Sequence, residues 1–150
     1  MKCLFIVIAL SISSSAFACV DISGKYLIGN IFFIKYEQKA CESLTERFCS
    51  ADGKDCITDS DSYTWPLTGE MVQVGGNPSK WASITPKGAS LYRHQLWDSG
   101  ADVSGQQCWW RDQVYAKDSE GNLNVNFIMS CLQGGKYKEV VKTEVWKLVQ

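Results

Sequence analysis

The chain has 150 residues, 45% of them hydrophobic, and its 15 basic and 16 acidic residues give a formal net charge of −1. No stretch gathers Lys and Arg into a basic face, so the composition argues against nucleic acid as a partner. This length suits one domain with one core.

The first 18 residues have the layout of a secretory signal peptide, with one lysine, an apolar run over residues 3–10 and small residues ending at Ala18. The apolar run is about half of the ~20 residues that a membrane-spanning helix needs, so we expect no membrane span. We predict cleavage after Ala18 and export to the periplasm or the extracellular space. A single domain then covers residues 19–150.

The cysteines support export. Of the seven, Cys3 lies in the predicted signal, and an even number of six in an exported chain predicts three disulfides. A lipid on Cys19 is the less favoured alternative, because it would leave one thiol unpaired and because Ala16 stands where lipid-attachment sites usually have Leu. With no Cys-x-x-Cys pair and one histidine, we expect no metal site and no cofactor. The six cysteines are Cys19, Cys41, Cys49, Cys56, Cys108 and Cys131.

Short strands follow the predicted signal, beginning with residues 25–28. The next two segments alternate with a period of two, which is typical of half-buried strands. The residues predicted to share a face are Phe32, Ile34, Tyr36 and Gln38 in the first segment and Leu44, Glu46 and Phe48 in the second.

A tight hairpin is predicted around Asp52-Gly53, a favoured pair for a two-residue type I′ turn. Folding there places Cys49 opposite Cys56. In the alternative, this segment is a loop and Cys41 takes one of the two as its partner. If the hairpin forms, Cys19 joins Cys41 by elimination.

The middle of the chain also reads as short strands. Pro66 cannot donate a ladder hydrogen bond, so its segment is demoted to an edge strand or a bulge. Pro86-Lys87 is predicted to turn the next hairpin, with Trp81 roughly across from Tyr92. The predicted strands here cover residues 70–74, 81–85 and 88–97.

Residues 108–117 and 123–131 form the clearest predicted hairpin, joined by turn residues 118–121. Folding about this turn places Cys108 opposite Cys131. Opposed residues lie ~4.5 to 5.5 Å apart at Cα, which a disulfide tolerates. A bulge at Gly121 would change this register. The same register pairs Trp110 with Met129, Asp112 with Phe127, Val114 with Val125 and Ala116 with Leu123.

Gly134-Gly135 then turns the chain into a last strand over residues 136–149. Many short strands joined by tight turns predict an all-β fold, an antiparallel up-and-down barrel of about eight strands stapled by disulfides.

Two segments resemble calycins, the superfamily of lipocalins, fatty-acid-binding proteins and avidins. Asp21-Ile-Ser-Gly-Lys-Tyr26 is similar to the Gly-x-Trp that opens their first strand, with Tyr26 in place of Trp. Glu144-Val-Trp-Lys-Leu148 looks like the last strand of small secreted lipocalin-like domains. The resemblance implies that the aromatic residue plugs the closed end of a barrel and that the last strand returns beside the first.

Such a barrel holds either packed side chains or one small ligand. An inward carboxylate at Asp112 needs a partner, for which Arg93 and Arg111 are the candidates. Glu139 raises the same question in the last strand, and Val141 is predicted inward with its neighbours. The candidate ligand-binding residues are Trp110, Asp112, Phe127, Met129, Tyr137, Glu139, Arg93 and Tyr92.

We therefore expect a non-enzymatic binding protein for a small, partly apolar or amphipathic molecule. No Gly-x-Ser-x-Gly and no free cysteine nucleophile appear. The first alternative is a protein-interaction module, such as a hydrolase inhibitor, acting through loops 98–107 or 75–80. The second is a hydrolase using inward carboxylates at Asp112 and Glu139. Trp109 and Trp146, predicted to face outward, suggest a homo-oligomer.

Overall fold

The computed structural model describes residues 19–56, 62–74, 77–103 and 106–149, and for residues 97–103, 106 and 110 it describes the backbone alone. The predicted signal peptide, and with it cleavage after Ala18, lies outside the described residues. None of the described residues belongs to a helix long and apolar enough to cross a membrane.

Among the residues that the structure describes, ten strands form one antiparallel sheet, so the predicted all-β class is confirmed, with ten strands rather than about eight. The first five are short: β1 (Gly24–Ile28), β2 (Phe32–Lys39), β3 (Ser43–Cys49), β4 (Tyr63–Pro66) and β5 (Val72–Gln73). The last five are β6 (Trp81–Lys87), β7 (Ser90–Val103), β8 (Gln106–Lys117), β9 (Leu123–Gln133) and β10 (Lys136–Val149).

The strand order is β4-β3-β2-β1-β10-β9-β8-β7-β6-β5, so the last strand lies beside the first, as the calycin resemblance implied. Pro66 ends the edge strand β4, in agreement with the prediction from its missing N–H. The segment after β4 bridges the two edges, because Leu67 N–H donates to Glu42 O and Gly69 N–H donates to Ile84 O. The sheet thereby forms a nearly closed barrel.

All three predicted disulfides are confirmed. The Cα–Cα distances are 5.5 Å for Cys19–Cys41, 3.7 Å for Cys49–Cys56 and 4.1 Å for Cys108–Cys131. The last pair is directly opposed across β8 and β9, as the predicted hairpin requires. Three disulfides indicate an oxidising environment, extracellular or periplasmic.

The predicted register of this hairpin is right near the disulfide and wrong beyond it. Trp110 does oppose Met129, but Asp112 opposes Ile128 and Gln113 opposes Phe127. The register shifts because Arg111 is an extra residue on β8, a bulge. Each residue of β8 after the bulge therefore faces the opposite side from the one predicted.

The faces of the last strand are also reversed relative to the prediction. Gln133 pairs with Lys136 across the turn, so Tyr137 opposes Leu132 and Trp146 opposes buried Leu123. Opposed residues share a face. Tyr137 and Val141, predicted inward, are 63% and 56% exposed, whereas Trp146, predicted outward, is buried in the core.

The hairpin of β6 and β7 turns two residues later than predicted. Lys87 pairs with Ser90, so the turn falls at Gly88-Ala89, where Gly88 has a φ of +58°. In this register Thr85, and not Trp81, lies across from Tyr92. On the other side of β6, Trp81 pairs with Gln73 of β5. Glycine reaches a positive φ without the steric cost that other residues carry, which favours the later turn.

Closure of the barrel predicts different costs for two glycine substitutions. A Cβ at Gly69 (φ +81°) would lie 2.8 Å from Thr85 Oγ1, whereas one at Gly88 (φ +58°) would meet no heavy atom within 4 Å. Both Gly→Ala changes carry the cost of a positive φ, so Gly69→Ala should cost about 1 kcal/mol more, or a thermal midpoint roughly 4 °C lower. Thermal unfolding followed by circular dichroism measures this, and equal midpoints would show that the bridge at Gly69 does not constrain the barrel.

Candidate functional site inside the barrel

One end of the barrel is closed by the N-terminal segment. Ile22 and Tyr26 are fully buried there, and Tyr26 Oη donates a hydrogen bond to Ile22 O over 2.9 Å. The Gln38 side chain holds the segment on both sides: Oε1 accepts from Ile22 N–H and Nε2 donates to Val20 O. The Cys19–Cys41 disulfide fixes its start. Tyr26 thus occupies the place that the resemblance implied for the aromatic plug.

The rest of the interior encloses a cavity of about 490 Å³. It reaches the surface at the turn between β1 and β2, where Ile31 is 72% exposed and Phe32 and Phe48 are each 37% exposed. The rings of Phe32 and Phe48 lie 6.4 Å apart and form an apolar rim. The apolar and aromatic side chains that line the walls are Ile28, Ile34, Tyr36, Tyr115, Phe127 and Trp146.

Inside this apolar space lies a buried ion pair. Arg93 Nη1 of β7 donates to Glu46 Oε2 of β3 over 3.2 Å, and the two side chains are only 12% and 5% exposed. The Arg93 guanidinium also lies over the Trp65 ring, 4.8 Å from its centroid. Because β3 and β7 are not neighbours in the sheet, the pair crosses the interior. Both of its members line the cavity.

The charge state of each member of the ion pair depends on the other member. Burial tends to lower the pKa of Arg93, but the Glu46 carboxylate together with Tyr115 and Tyr36 outweighs burial, so the pKa lies above its ordinary value. Burial raises the pKa of Glu46, with Arg93 acting in the opposite direction. A guanidinium stays protonated in proteins, so its charge in this interior requires the Glu46 carboxylate as counterion.

Three further polar residues line the cavity. Tyr115 Oη donates to Gln113 Oε1, and both residues are buried on the inner face of β8. Nearer the rim, Glu144 Oε1 lies 2.7 Å from Lys142 Nζ, and Trp146 Nε1 donates to Glu144 Oε2. Burial tends to raise the pKa of Glu144, but these two contacts lower it below its ordinary value, so the carboxylate is charged at neutral pH.

Of the eight ligand-binding candidates proposed from sequence, Phe127 and Arg93 line the cavity. Met129 is buried beside the Cys108–Cys131 disulfide in a separate small cluster. For Trp110 the structure describes the backbone alone. The remaining candidates, Asp112, Glu139, Tyr137 and Tyr92, lie on the outer face. The inward placement predicted for Asp112, Glu139 and Tyr137 is therefore wrong.

The outer placement has a cause for each residue. The bulge at Arg111 turns Asp112 outward, where its Oδ1 lies 2.6 Å from His94 Nδ1, while Arg93, one of its two expected partners, points inward to Glu46. Glu139 is exposed because the last strand has the opposite parity to the one predicted. Tyr92 precedes inward Arg93 and so faces out, with Lys87 Nζ 3.8 Å from its ring centroid.

The sequence reasoning missed Glu46 and Gln113 as residues of the site. A signal for Glu46 was present, because a carboxylate shares a predicted strand face with Leu44 and Phe48. For Gln113 the only signal was the register of β8, which the bulge changes.

Comparisons with known proteins give little further information. No family model matches the chain, and no curated protein matches it. Among solved structures, a crystal structure of a mutant of the fluorescent protein UnaG superposes with a TM-score of 0.49 and 14% identity, over 79% of this chain and 72% of that one.

The ion pair predicts a non-additive mutational cycle. Arg93→Met should destabilise the protein by about 3 kcal/mol, because it leaves the Glu46 carboxylate buried without its partner. Adding Glu46→Leu should recover most of that loss. Urea unfolding with the disulfides intact measures both values. The exposed pair of Lys35 and Glu37 serves as control, since Lys35→Met should leave stability almost unchanged. Additive costs for the two inner changes would contradict a coupled pair.

Proposed function

We propose that this protein is an exported, non-enzymatic binding protein that holds one small, partly apolar molecule inside its barrel. The cavity carries the proposal: about 490 Å³, walled by aliphatic and aromatic side chains with a few polar groups. Small-molecule sites are typically concave, mostly apolar and ~300 to 1,000 Å³ in volume. The three disulfides support export to an oxidising compartment.

The apolar rim supports a route by which a small molecule enters the cavity. Phe32 and Phe48 expose their rings beside Ile31 at the end of the barrel opposite the plug formed by Ile22 and Tyr26. Apolar side chains at such an opening stabilise an apolar molecule as it leaves water. An internal cavity of this size is typical of a small-molecule site, which favours the small-molecule hypothesis over a protein-interaction module.

The alternatives have less support. For an inhibitor, the expected loop 98–107 is mostly strand, because β7 extends to Val103 and β8 begins at Gln106. The other expected loop, 75–80, lies partly outside the described residues. For a hydrolase, the two carboxylates expected inside, Asp112 and Glu139, lie on the outer face. The carboxylates that do line the cavity, Glu46 and Glu144, are engaged by Arg93 and Lys142.

Binding inside the barrel is tested with the neutral, environment-sensitive dye Nile red. We expect saturable 1:1 binding with a blue shift of the dye emission. Phe48→Gln should weaken binding about fivefold, because roughly 1 kcal/mol of apolar contact at the rim is lost. Tyr137→Gln, which changes an exposed aromatic residue on the outer face, is the matched control and should leave affinity within about twofold.

Equal weakening by the two substitutions would place the dye on the outer surface. Failure of the dye to saturate would likewise contradict a binding cavity. Far-UV circular dichroism of both variants confirms that each retains the fold.

A further inference from the structure

The opposite charges of Arg93 and Glu46 inside the cavity neutralise each other. Arg93 has its charge met by Glu46 at 3.2 Å, and its guanidinium plane is covered by the Trp65 ring. Inside a low-dielectric interior such a pair is held far more firmly than on a surface, since separating it leaves two uncompensated charges. A ligand that enters therefore meets a compensated ion pair and not a free cation.

The charges that line the cavity do not attract an anion. Among the described lining residues, the charged ones are Glu46, Arg93 and Glu144. Their sum is −1, and the outermost, Glu144, is balanced by Lys142 beside it. A carboxylate that displaced Glu46 from Arg93 would leave the Glu46 carboxylate buried without a partner, at a cost that cancels the new contact.

The ion pair does present complementary hydrogen-bonding groups. Glu46 offers carboxylate oxygens that accept, and the Arg93 guanidinium offers N–H groups that donate. A ligand group that complements both Glu46 and Arg93 must donate one hydrogen bond and accept another. A hydroxyl or a primary amide does both, whereas a carboxylate only accepts.

We infer that the cavity selects a neutral amphipathic molecule whose polar end both donates and accepts a hydrogen bond, in preference to the carboxylic acid of the same chain length. The ligand class is thus that of long-chain alcohols and amides. This inference rests on the proposed function and narrows it.

The test displaces bound Nile red with 1-dodecanol and with dodecanoate, both below their aggregation limits, at pH 8, where the acid is fully ionised. We expect the alcohol to displace the dye from the wild-type protein at a concentration about tenfold lower than dodecanoate, which corresponds to one poorly satisfied buried polar group.

The Glu46→Gln variant identifies the source of this preference. It removes the counter-charge of Arg93, so dodecanoate should gain about tenfold relative to the alcohol. Glu37→Gln, a carboxylate exposed on the outer face beside Lys35 and Arg47, is the matched control and should keep the wild-type preference. If Glu46→Gln does not fold, as judged by circular dichroism, the wild-type comparison decides alone.

The outcomes separate the two proposals. Wild-type protein that binds dodecanoate as tightly as the alcohol overturns the inference and leaves the proposed function standing. The inference is also overturned if neither compound displaces a dye that does bind, or if a folded Glu46→Gln protein keeps the preference for the alcohol. Absence of saturable dye binding overturns the proposed function itself.

Discussion

The ion pair of Glu46 and Arg93 depends on the closure of the barrel and in turn constrains it. The two residues are 47 positions apart in the chain and belong to β3 and β7, the neighbours of β4 and β6 on either side of the gap in the sheet. Trp65 of β4 adds a ring contact to the same guanidinium. Because charges this deeply buried are costly when separated, the pair favours one relative placement of the two sides. The bridge through Gly69 acts at the same gap from the backbone.

The remaining interior is divided between packing and empty space. Aromatic rings contact one another in series, with centroids 6.2 Å apart for Tyr26 and Tyr36, 6.1 Å for Tyr36 and Tyr115, and 6.0 Å for Tyr115 and Trp146. The series starts at the plugged end, where Tyr26 and Ile22 leave no room. Towards the rim the interior is not filled, and the cavity there is lined by Phe127, Trp146 and Ile28. A rigid plug at one end and an apolar opening at the other are what a binding barrel requires.

Local features of this fold were predictable from the sequence. The face of the sheet on which each side chain lies was harder to predict. The disulfide between Cys108 and Cys131 follows from strand alternation and a turn, which are short-range signals. The bulge at Arg111 carries no such signal, since the residue is neither Gly nor Pro, and one extra residue reverses every face beyond it. That single shift moved Asp112 out of the interior and Gln113 into it.

The ion pair could not be predicted from the sequence, for a different reason. Glu46 and Arg93 approach only because the sheet curls until β3 and β7 face each other, and alternation within a strand does not specify which strands meet across a barrel. The sequence analysis gave Arg93 as one of two candidate partners for Asp112, whereas its partner in the structure is Glu46. The presence of Glu46 between Leu44 and Phe48 on one strand face was the usable clue, because a lone carboxylate on an apolar face needs a partner.

A crystal structure of the protein grown with 1-dodecanol would test the central claim, that a compensated ion pair lies at the base of an open, apolar cavity. The account predicts an alkyl chain inside the cavity, against Phe127 and Trp146, with the hydroxyl within hydrogen-bond distance of Glu46 and Arg93 and the contact between those two residues intact. An interior filled by the protein's own side chains, with the alcohol bound only on the outer face, would contradict it.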